Sequence, residues 1–239
     1  MPFRCSSKAY SQQHKLFCIN TMLRVELHCH TSLSACSGQT LDQIMDTCQK
    51  KNINVIAITD HDETRNAFEL QKRARKNLQV IIGEEISTQS GEVIGYFLKK
   101  TIPSGLTLTE TYTAIKEQGG LIAIPHPTDK LRKKVIDSKN MLRSIDAVDI
   151  IEIFNSRNML WWNNWQAKKL ALHHHKTVSV GSDAHFQQEI GRSLMLMERW
   201  SNPQEFLQNL RKANLITKHS SPAMHWLTWL EKRRKTRER

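Results

Sequence analysis

The sequence of 239 residues has no apolar run near the length of about eighteen residues that a membrane-spanning helix needs, so no membrane span is expected. Its five cysteines are an odd number and form no C-x-x-C pair, which argues against a disulfide scaffold and a structural zinc knuckle. The first 21 residues lack the continuous apolar segment of a secretory signal. We therefore expect a cytoplasmic protein that starts in effect at Met22, with residues 1–21 a disordered or mis-assigned extension.

Acidic side chains are scarce at both ends of the chain. Residues 1–24 carry four basic and no acidic side chains, and residues 211–239 carry nine basic and two acidic ones. The formal net charge of +12 therefore belongs to the ends, and residues 25–210 carry only +1. Such runs are typical of solvated tails, and the alternative is contact with nucleic acid or with an anionic membrane surface.

Short β-branched runs alternate with longer amphipathic stretches along the rest of the chain. Seven runs have the length and composition of strands, at 24–27, 55–58, 80–82, 93–98, 121–124, 148–154 and 177–180. Five stretches predict helices, at 41–51, 64–76, 107–118, 160–174 and 203–213. The alternation predicts an α/β fold with a mainly parallel, barrel-like sheet in one domain over residues 22–219. Residues 220–239, in which tryptophan and leucine precede a basic run, are expected to form a basic amphipathic tail that docks or frays.

Polar or ionisable side chains follow six of the seven predicted strands. The segments are HCH at 28–30, TDHD at 59–62, GEE at 83–85, PHP at 125–127, NSR at 155–157 and GSDAH at 181–185. In parallel sheets and barrels the carboxyl ends of the strands meet on one face, where binding sites are built. We therefore expect these six segments to converge.

Seven side chains in these segments are donors that metal ions accept: His28, His30, His61, Glu85, His126, Asp183 and His185. Imidazole and carboxylate ligands without a thiolate suit Mn, Zn or Fe, and seven donors exceed what one tetrahedral ion takes. The residues therefore predict at least two divalent ions that share a carboxylate, an arrangement that lowers the pKa of a bridging water and clamps a phosphate. His173, His174 and His175 end a predicted helix and are expected to face water instead.

The motifs HCHTSLSACSG, ITDHDE, GEE, PHP and GSDAH, in this order, resemble those of the PHP (polymerase and histidinol phosphatase) family of metal-dependent phosphoesterases over residues 22–215. The resemblance implies a distorted (β/α)7 barrel with two or three divalent metal ions at its C-terminal face. It also implies that a metal-bound hydroxide hydrolyses a phosphomonoester. The expected partner is a phosphorylated small molecule or a nucleotide, such as a 3′,5′-nucleoside bisphosphate or the 5′ end of a short RNA or DNA. No protein partner is inferred.

Two positions depart from the pattern of many family members. Ala35 stands where many members have an acidic ligand, and the strand that contains Glu92 offers no histidine. Both departures weaken the expectation of a third ion. Cys36 could replace a ligand, but a small buried thiol is the expected interpretation.

Other side chains near the predicted ligands are candidates for catalysis and substrate binding. Asp60 is expected to orient the ring of His61, to shuttle a proton or only to cap the next helix, and His185 is expected to act in catalysis as well as in ligation. The candidate substrate-binding residues are Arg132, Asn155 and Arg157, of which Arg132 is preferred because a guanidinium suits bidentate phosphate binding. Trp161, Trp162 and Trp165 have helical spacing typical of core residues, although exposed indoles would stack on a base.

Two rival functions remain open on the sequence. An amidohydrolase-type metal hydrolase also has H-x-H on its first barrel strand, but it commonly needs a metal-bridging lysine at a middle strand end. Only Lys99 and Lys100 come near such a position. A non-catalytic PHP scaffold that serves as a binding module would have no reason to keep all seven donors.

Overall fold

The computed structural model describes residues 22–132 and 134–237, so the prediction made for residues 1–21 lies outside the described part of the chain. The strands are β1 (Leu23–Glu26), β2 (Val55–Ile58), β3 (Gln79–Thr88), β4 (Gly91–Tyr96), β5 (Leu121–Ile124), β6 (Ile150–Asn155), β7 (Thr177–Gly181), β8 (Leu194–Met197) and β9 (Asn214–Ile216). The α-helices are α1 (Leu41–Lys50), α2 (Arg65–Arg73), α3 (Leu108–Glu117), α4 (Ser138–Arg143), α5 (Trp161–His173), α6 (Pro203–Leu210) and α7 (Ala223–Arg237).

The strands form one sheet in the order β7-β6-β5-β4-β3-β2-β1-β8-β9. β1, β2 and β3 are parallel neighbours, as are β5, β6 and β7, and β4 runs antiparallel between the two sets. The sheet nearly closes, because a parallel bridge joins Cys29 after β1 to Ala184 after β7. There the amide of His30 donates to the Ala184 carbonyl at 2.9 Å. The expected α/β fold with a barrel-shaped sheet is confirmed.

The sheet departs from seven equal β/α units in two places. β3 and β4 form a hairpin whose turn ends at Gly91, where φ is 115°, a conformation that glycine adopts without steric cost. β8 and β9 extend the sheet beyond β1 through antiparallel pairs, and the Leu-Met composition of β8 gave no β-branched signal. The expectation of a mainly parallel sheet therefore holds for β1–β3 and for β5–β7 only, and the count of seven units is not confirmed.

The apolar side chains of the barrel strands and of the helices around it form one core. β2 and β5 are buried along their whole length, as their unbroken β-branched runs predict. Capping boxes fix the start of α1 at Thr40 and of α3 at Thr107, where each threonine accepts from the backbone three residues on. No helix in the described residues is long and apolar enough to cross a membrane.

The C-terminal helix α7 docks against the loops that follow β1 and β6. Lys235 Nζ donates to three backbone carbonyls of the 32–37 loop, at 2.6, 2.9 and 2.6 Å. The Arg157 guanidinium donates to Thr228 Oγ1 at 2.7 Å, and His225 Nε2 lies 2.9 Å from the Arg157 carbonyl. The predicted tail is thus a helix that docks on the barrel. The expectation that it is amphipathic is wrong, because α7 does not separate its apolar and charged residues onto opposite faces.

Side chains of β3 alternate between the two faces of the sheet, which separates its two adjacent glutamates. The predicted strand stopped before these residues, whereas the observed β3 contains both. Glu84 is fully buried; its Oε2 accepts from the Ile102 amide at 2.9 Å, and its Oε1 has no hydrogen-bond partner. Burial raises the pKa of Glu84 to about 8. The folded protein therefore keeps this carboxyl protonated at neutral pH.

Replacing Glu84 with Gln is expected to remove a pH-dependent loss of stability. The folded-state pKa of about 8 lies above the ordinary value of 4.5. Between these two pH values the folded protein therefore holds a proton that the unfolded chain has released. The free energy of unfolding then falls as pH rises through this window, by up to about 1.4 kcal/mol per pH unit. In urea unfolding, Glu84→Gln should be more stable than the wild type at about pH 8.5, and the difference should shrink at about pH 5.5. A pH-independent difference, or the same pattern in the exposed control Glu69→Gln, would contradict this account.

Candidate metal centre

The seven predicted donors lie together at one end of the barrel. They are His28 and His30 after β1, His61 after β2, Glu85 within β3, His126 after β5, and Asp183 and His185 after β7. Six of the seven are buried, and the side chain of His61 is 28% exposed. The parallel strand ends therefore converge as the sequence predicts.

The carboxylate of Glu85 lies at the centre of this cluster. Its Oε2 is 3.5 Å from His28 Nε2 and 3.3 Å from His30 Nε2. The same oxygen is 3.2 Å from His61 Nδ1, and Oε1 is 2.9 Å from His126 Nε2. One carboxylate thus meets imidazoles from three other strand ends, as a ligand shared between ions would.

Asp183 meets the paired imidazoles of the first strand from the other side. Its Oδ1 lies 3.2 Å from His30 Nε2 and 3.5 Å from His28 Nε2. The same oxygen is 3.6 Å from His185 Nδ1. His28 and His30 are therefore held between two carboxylates that come from β3 and from the end of β7.

Strained backbone accompanies two of the donors. φ is 29° at His126 and 52° at Asp183, in the left-handed region that residues other than glycine seldom adopt. Such strain costs on the order of 1–3 kcal/mol and persists only where the surroundings fix it. Buried carboxylates do so here: Glu152 Oε2 accepts from the His126 amide at 2.8 Å, and Glu26 Oε1 accepts from the Ser182 amide at 3.0 Å.

Within the described part of the chain, the donor atoms form four groups of three, and within each group all the atoms lie within 4.8 Å of one another. The groups are His28, Glu85 and His126; His28, His30 and Asp183; His30, His61 and His185; and His61, Glu85 and Glu92. The first three contain only predicted ligands. The fourth adds a residue that the sequence analysis did not select.

Glu92 is the donor that the sequence analysis missed. Its carboxylate lies 3.4 Å from His61 Nδ1 and 3.9 Å from His126 Nε2, and it is 5% exposed. Burial and the charge of Glu85 raise the pKa of Glu92 to about 9. The predicted donors follow parallel strands, whereas β4 is antiparallel, so its first residues, not its last, lie at this end of the barrel. The sequence feature that could have indicated Glu92 is its position directly before the apolar run at 93–98.

The central carboxylates are ionised in spite of their burial. Burial alone would raise the pKa of Glu85, but the charge of His28 and the hydrogen bond from His126 hold it well below its ordinary value. Burial also opposes ionisation of Asp183, whose pKa is nevertheless lowered by Arg132 and His28. Both carboxylates are therefore in the deprotonated form that ligation of a cation requires.

Two of the imidazoles are neutral. Burial lowers the pKa of His61 to about 3 and moves that of His185 well below its ordinary value. A neutral imidazole keeps the lone pair that ligation of a metal requires. For His28, burial also favours the neutral ring, but the charges of Asp183 and Glu152 raise its pKa above the ordinary value.

Among the described residues, four buried atoms directed into the cluster have no hydrogen-bond partner: His28 Nε2, His30 Nε2, His61 Nδ1 and Asp183 Oδ1. The second ring nitrogen of His28 and of His30 has a polar neighbour: His28 Nδ1 lies 2.9 Å from Glu152 Oε1, and His30 Nδ1 lies 3.3 Å from Ser34 Oγ. Buried polar atoms are nearly always satisfied, so unpaired nitrogen and oxygen atoms at one point fit divalent cations. Contacts of this kind, made by the ring nitrogen that does not face the metal, orient the imidazole ring in metal sites.

Asp60 acts on the loop after β1. Its carboxylate accepts from the Thr31 amide at 2.7 Å, from Thr31 Oγ1 at 2.6 Å and from Ser34 Oγ at 2.5 Å. Ser34 Oγ contacts His30 Nδ1 and accepts from the His61 amide at 3.2 Å. Asp60 thus reaches the ring of His30 through Ser34 and contacts the backbone, not the ring, of His61 by the same route; none of these bonds caps the following helix.

The three candidate substrate-binding residues differ in their surroundings. The Arg132 side chain is 24% exposed and donates to Asp183 Oδ2 at 2.5 Å and to Asn155 Oδ1 at 3.3 Å. Asn155 is buried, and its amide donates to Asp183 at 3.3 Å. The Arg157 guanidinium is buried and paired with Glu189 at 3.0 Å. Arg132, at the rim of the cluster, is the only one of the three whose side chain is partly exposed.

The solvent exposure of Cys36, of the histidines at the end of α5 and of the tryptophans of α5 bears on the remaining sequence expectations. Cys36 is buried, and burial raises the pKa of its thiol to about 12, so it is a protonated core thiol. His173 and His175 are exposed, as expected for rings that face water. The tryptophans of α5 do not follow the expectation of a core position, because they lie on the outward side of the helix; Trp161, Trp162 and Trp165 are 68%, 42% and 50% exposed.

Comparison with known proteins shows a match between residues 26–213 and the model of the PHP domain. An uncharacterized protein of Methanocaldococcus jannaschii is 36% identical over 199 residues, which cover 79% of each chain. A protein of Caldicellulosiruptor saccharolyticus named "Probable phosphatase" is 26% identical over 228 residues, covering 81% of this chain and 95% of the relative. A solved two-domain protein of Bacteroides vulgatus, described as containing a predicted PHP-like metal-dependent phosphoesterase, has a TM-score of 0.67 at 16% identity, covering 88% of this chain and 70% of that one.

Replacing Asp60 with Asn is expected to destabilise the loop that carries His30. The substituted amide cannot accept from all three donors of Thr31 and Ser34, so the free energy of unfolding should fall by about 2 kcal/mol. Urea unfolding measures this change. Asp46→Asn on the exposed face of α1 is the matched control and should change stability little. Equal stability of the two variants would show that the three bonds contribute nothing.

Proposed function

This chain belongs to the PHP domain family, and we propose that it is a phosphoesterase that hydrolyses phosphomonoesters of nucleotides. The observation that supports the chemistry is the convergence of unpaired imidazole and carboxylate atoms around Glu85. The expected substrates are 3′,5′-nucleoside bisphosphates or the 5′ ends of short oligonucleotides. The basic ends of the chain favour such anionic substrates.

We assign the seven predicted donors, together with Glu92, to at least two divalent ions, Mn, Zn or Fe. In this assignment Glu85 would be shared between the ions; His28, His30 and Asp183 would hold one ion, and His126 would contribute to another. His61, His185 and Glu92 complete the set of donors on the remaining side. Bound divalent ions would supply an activated water and would neutralise the charge of the phosphate.

The other side chains have separate tasks in this proposal. Arg132, at the rim, binds the phosphate, because a planar guanidinium pairs with two phosphate oxygens. Asn155 and Arg157 shape the wall behind it. His185 Nδ1 lies 2.7 Å from the Asp183 carbonyl and carries the ring proton, so Nε2 keeps the lone pair that ligates or accepts a proton. Asp60 fixes the loop after β1.

The amidohydrolase alternative lacks a supporting residue. That class commonly needs a lysine among the ligands, yet Lys99 and Lys100 are exposed. The backbone amides of both donate to Gln118 Oε1, at 2.8 and 2.9 Å, which places this segment beside the end of α3. The phosphoesterase therefore remains the function that the site supports best.

A phosphatase screen with added Mn²⁺ or Zn²⁺ tests the proposal. The panel contains p-nitrophenyl phosphate, 3′,5′-nucleoside bisphosphates and 5′-phosphorylated oligoribonucleotides. Phosphate release is expected from at least one nucleotide substrate, and His28→Ala and Asp183→Asn should each lower it by about 100-fold or more, since loss of a ligand disrupts the site. Turnover of p-nitrophenyl phosphate alone would contradict the nucleotide assignment. Hydrolysis of amides in place of phosphoesters would contradict the reaction class.

Replacing Glu92 with Gln is expected to weaken metal binding, because the amide cannot lose a proton and become the carboxylate ligand that would face a cation beside His61 and His126. Titration calorimetry with Mn²⁺ should show about a 10-fold or greater loss of affinity for the weakest site. Glu69→Gln on the exposed side of α2 is the control. Unchanged affinity and stoichiometry in Glu92→Gln would remove Glu92 from the ligand set.

A further inference from the structure

Five of the six tryptophans in the sequence are exposed, and all five lie on two helices. Trp161, Trp162 and Trp165 belong to α5; Trp226 and Trp229, 61% and 46% exposed, belong to α7. Exposed large aromatic side chains in such number are unusual for a protein surface and indicate a binding surface. The mechanism proposed above uses none of them.

Cations lie directly on two of these indoles. Lys169 Nζ is 3.7 Å from the centre of the Trp165 ring, and Arg233 Cζ is 3.8 Å from that of Trp229. α5 has two lysines and no acidic residue, and α7 has five basic residues and one glutamate. Each helix therefore combines flat aromatic faces with positive charge.

Both helices are anchored beside the candidate metal centre. Asn164 of α5 accepts from the Asn155 amide at 3.0 Å, and Asn163 donates to Asp129 at 2.9 Å. α7 is bonded to Arg157 in the same loop. The helices that carry the tryptophans are therefore attached to the segment that joins β6 to α5, next to the end of the barrel where the donors meet.

We propose that α5 and α7 form a binding surface for single-stranded nucleic acid, with bases stacked on the tryptophans and phosphates held by the neighbouring lysines and arginines. Sequence-tolerant binding of single strands combines these two features. The proposal rests on the proposed function in one respect only, the orientation of the bound strand, whose end would lie at the metal centre. Binding itself requires neither metal nor hydrolysis.

The composition of the helices favours a nucleic acid over two other occupants. Neither α5 nor α7 separates its apolar and charged residues onto opposite faces, whereas a helix that lies in a membrane interface does. A second copy of this chain would bring two strongly basic surfaces together, which repel each other. A polyanion with planar bases complements both the charge and the indoles.

The test measures binding of a fluorescent 5′-hydroxyl single strand of about 12 nucleotides, a typical length for such sites, by anisotropy in EDTA with the full-length protein. The double variants Trp161→Ala/Trp165→Ala and Trp226→Ala/Trp229→Ala should each weaken binding by about 5-fold or more, and affinity should fall steeply with salt. Leu172→Ala, an exposed apolar change at the far end of α5, is the matched control and should bind like the wild type. His28→Ala should also bind normally, so failure of hydrolysis and failure of binding are separate results.

Three results would overturn the proposal. The first is an affinity that neither tryptophan pair changes while thermal unfolding of the variants stays normal. The second is tryptophan-dependent binding to phosphatidylserine vesicles without binding to the oligonucleotide, which would assign the surface to a membrane. The third is self-association in sedimentation velocity that the same substitutions abolish, which would assign it to a second copy.

Discussion

The contact between the Glu85 carboxylate and the imidazoles of three other strand ends is the feature on which the rest of the site depends. A buried carboxylate is costly unless opposite charges and hydrogen bonds compensate for its lost hydration. Here the neighbouring histidines supply that compensation, and they are in reach only because β1, β2, β3 and β5 end at the same rim. The closure of the barrel at Cys29 and Ala184 adds Asp183 to the same point.

An outer shell of side chains holds this centre in place. Glu152 engages the far nitrogen of His28, and Asp60 acts on His30 through Ser34. The carbonyls of the same loop receive Lys235, so the C-terminal helix helps to fix the segment that follows the first pair of ligands. A helix more than 150 residues away in the sequence thus contacts the loop that follows the first two donors.

Much of the fold and of the site could be predicted because both depend on local patterns. β-branched runs marked the barrel strands, and the direction of parallel strands placed the seven donors together. Glu92 was missed because it belongs to an antiparallel strand, whose direction is set by a hairpin and not by its own residues. The exposure of Trp161 and Trp165 could not be read from helical spacing, which is the same for a buried face and for an outward one. The partners of α7 depend on tertiary contacts alone.

Anomalous X-ray diffraction from crystals grown with Zn²⁺ is the most direct test of the central claim. The account predicts at least two anomalous peaks between the strand ends, with each Glu85 oxygen about 2.0–2.2 Å from one of them. A single peak held by the paired histidines without Glu85, or no peak among these residues, would contradict it.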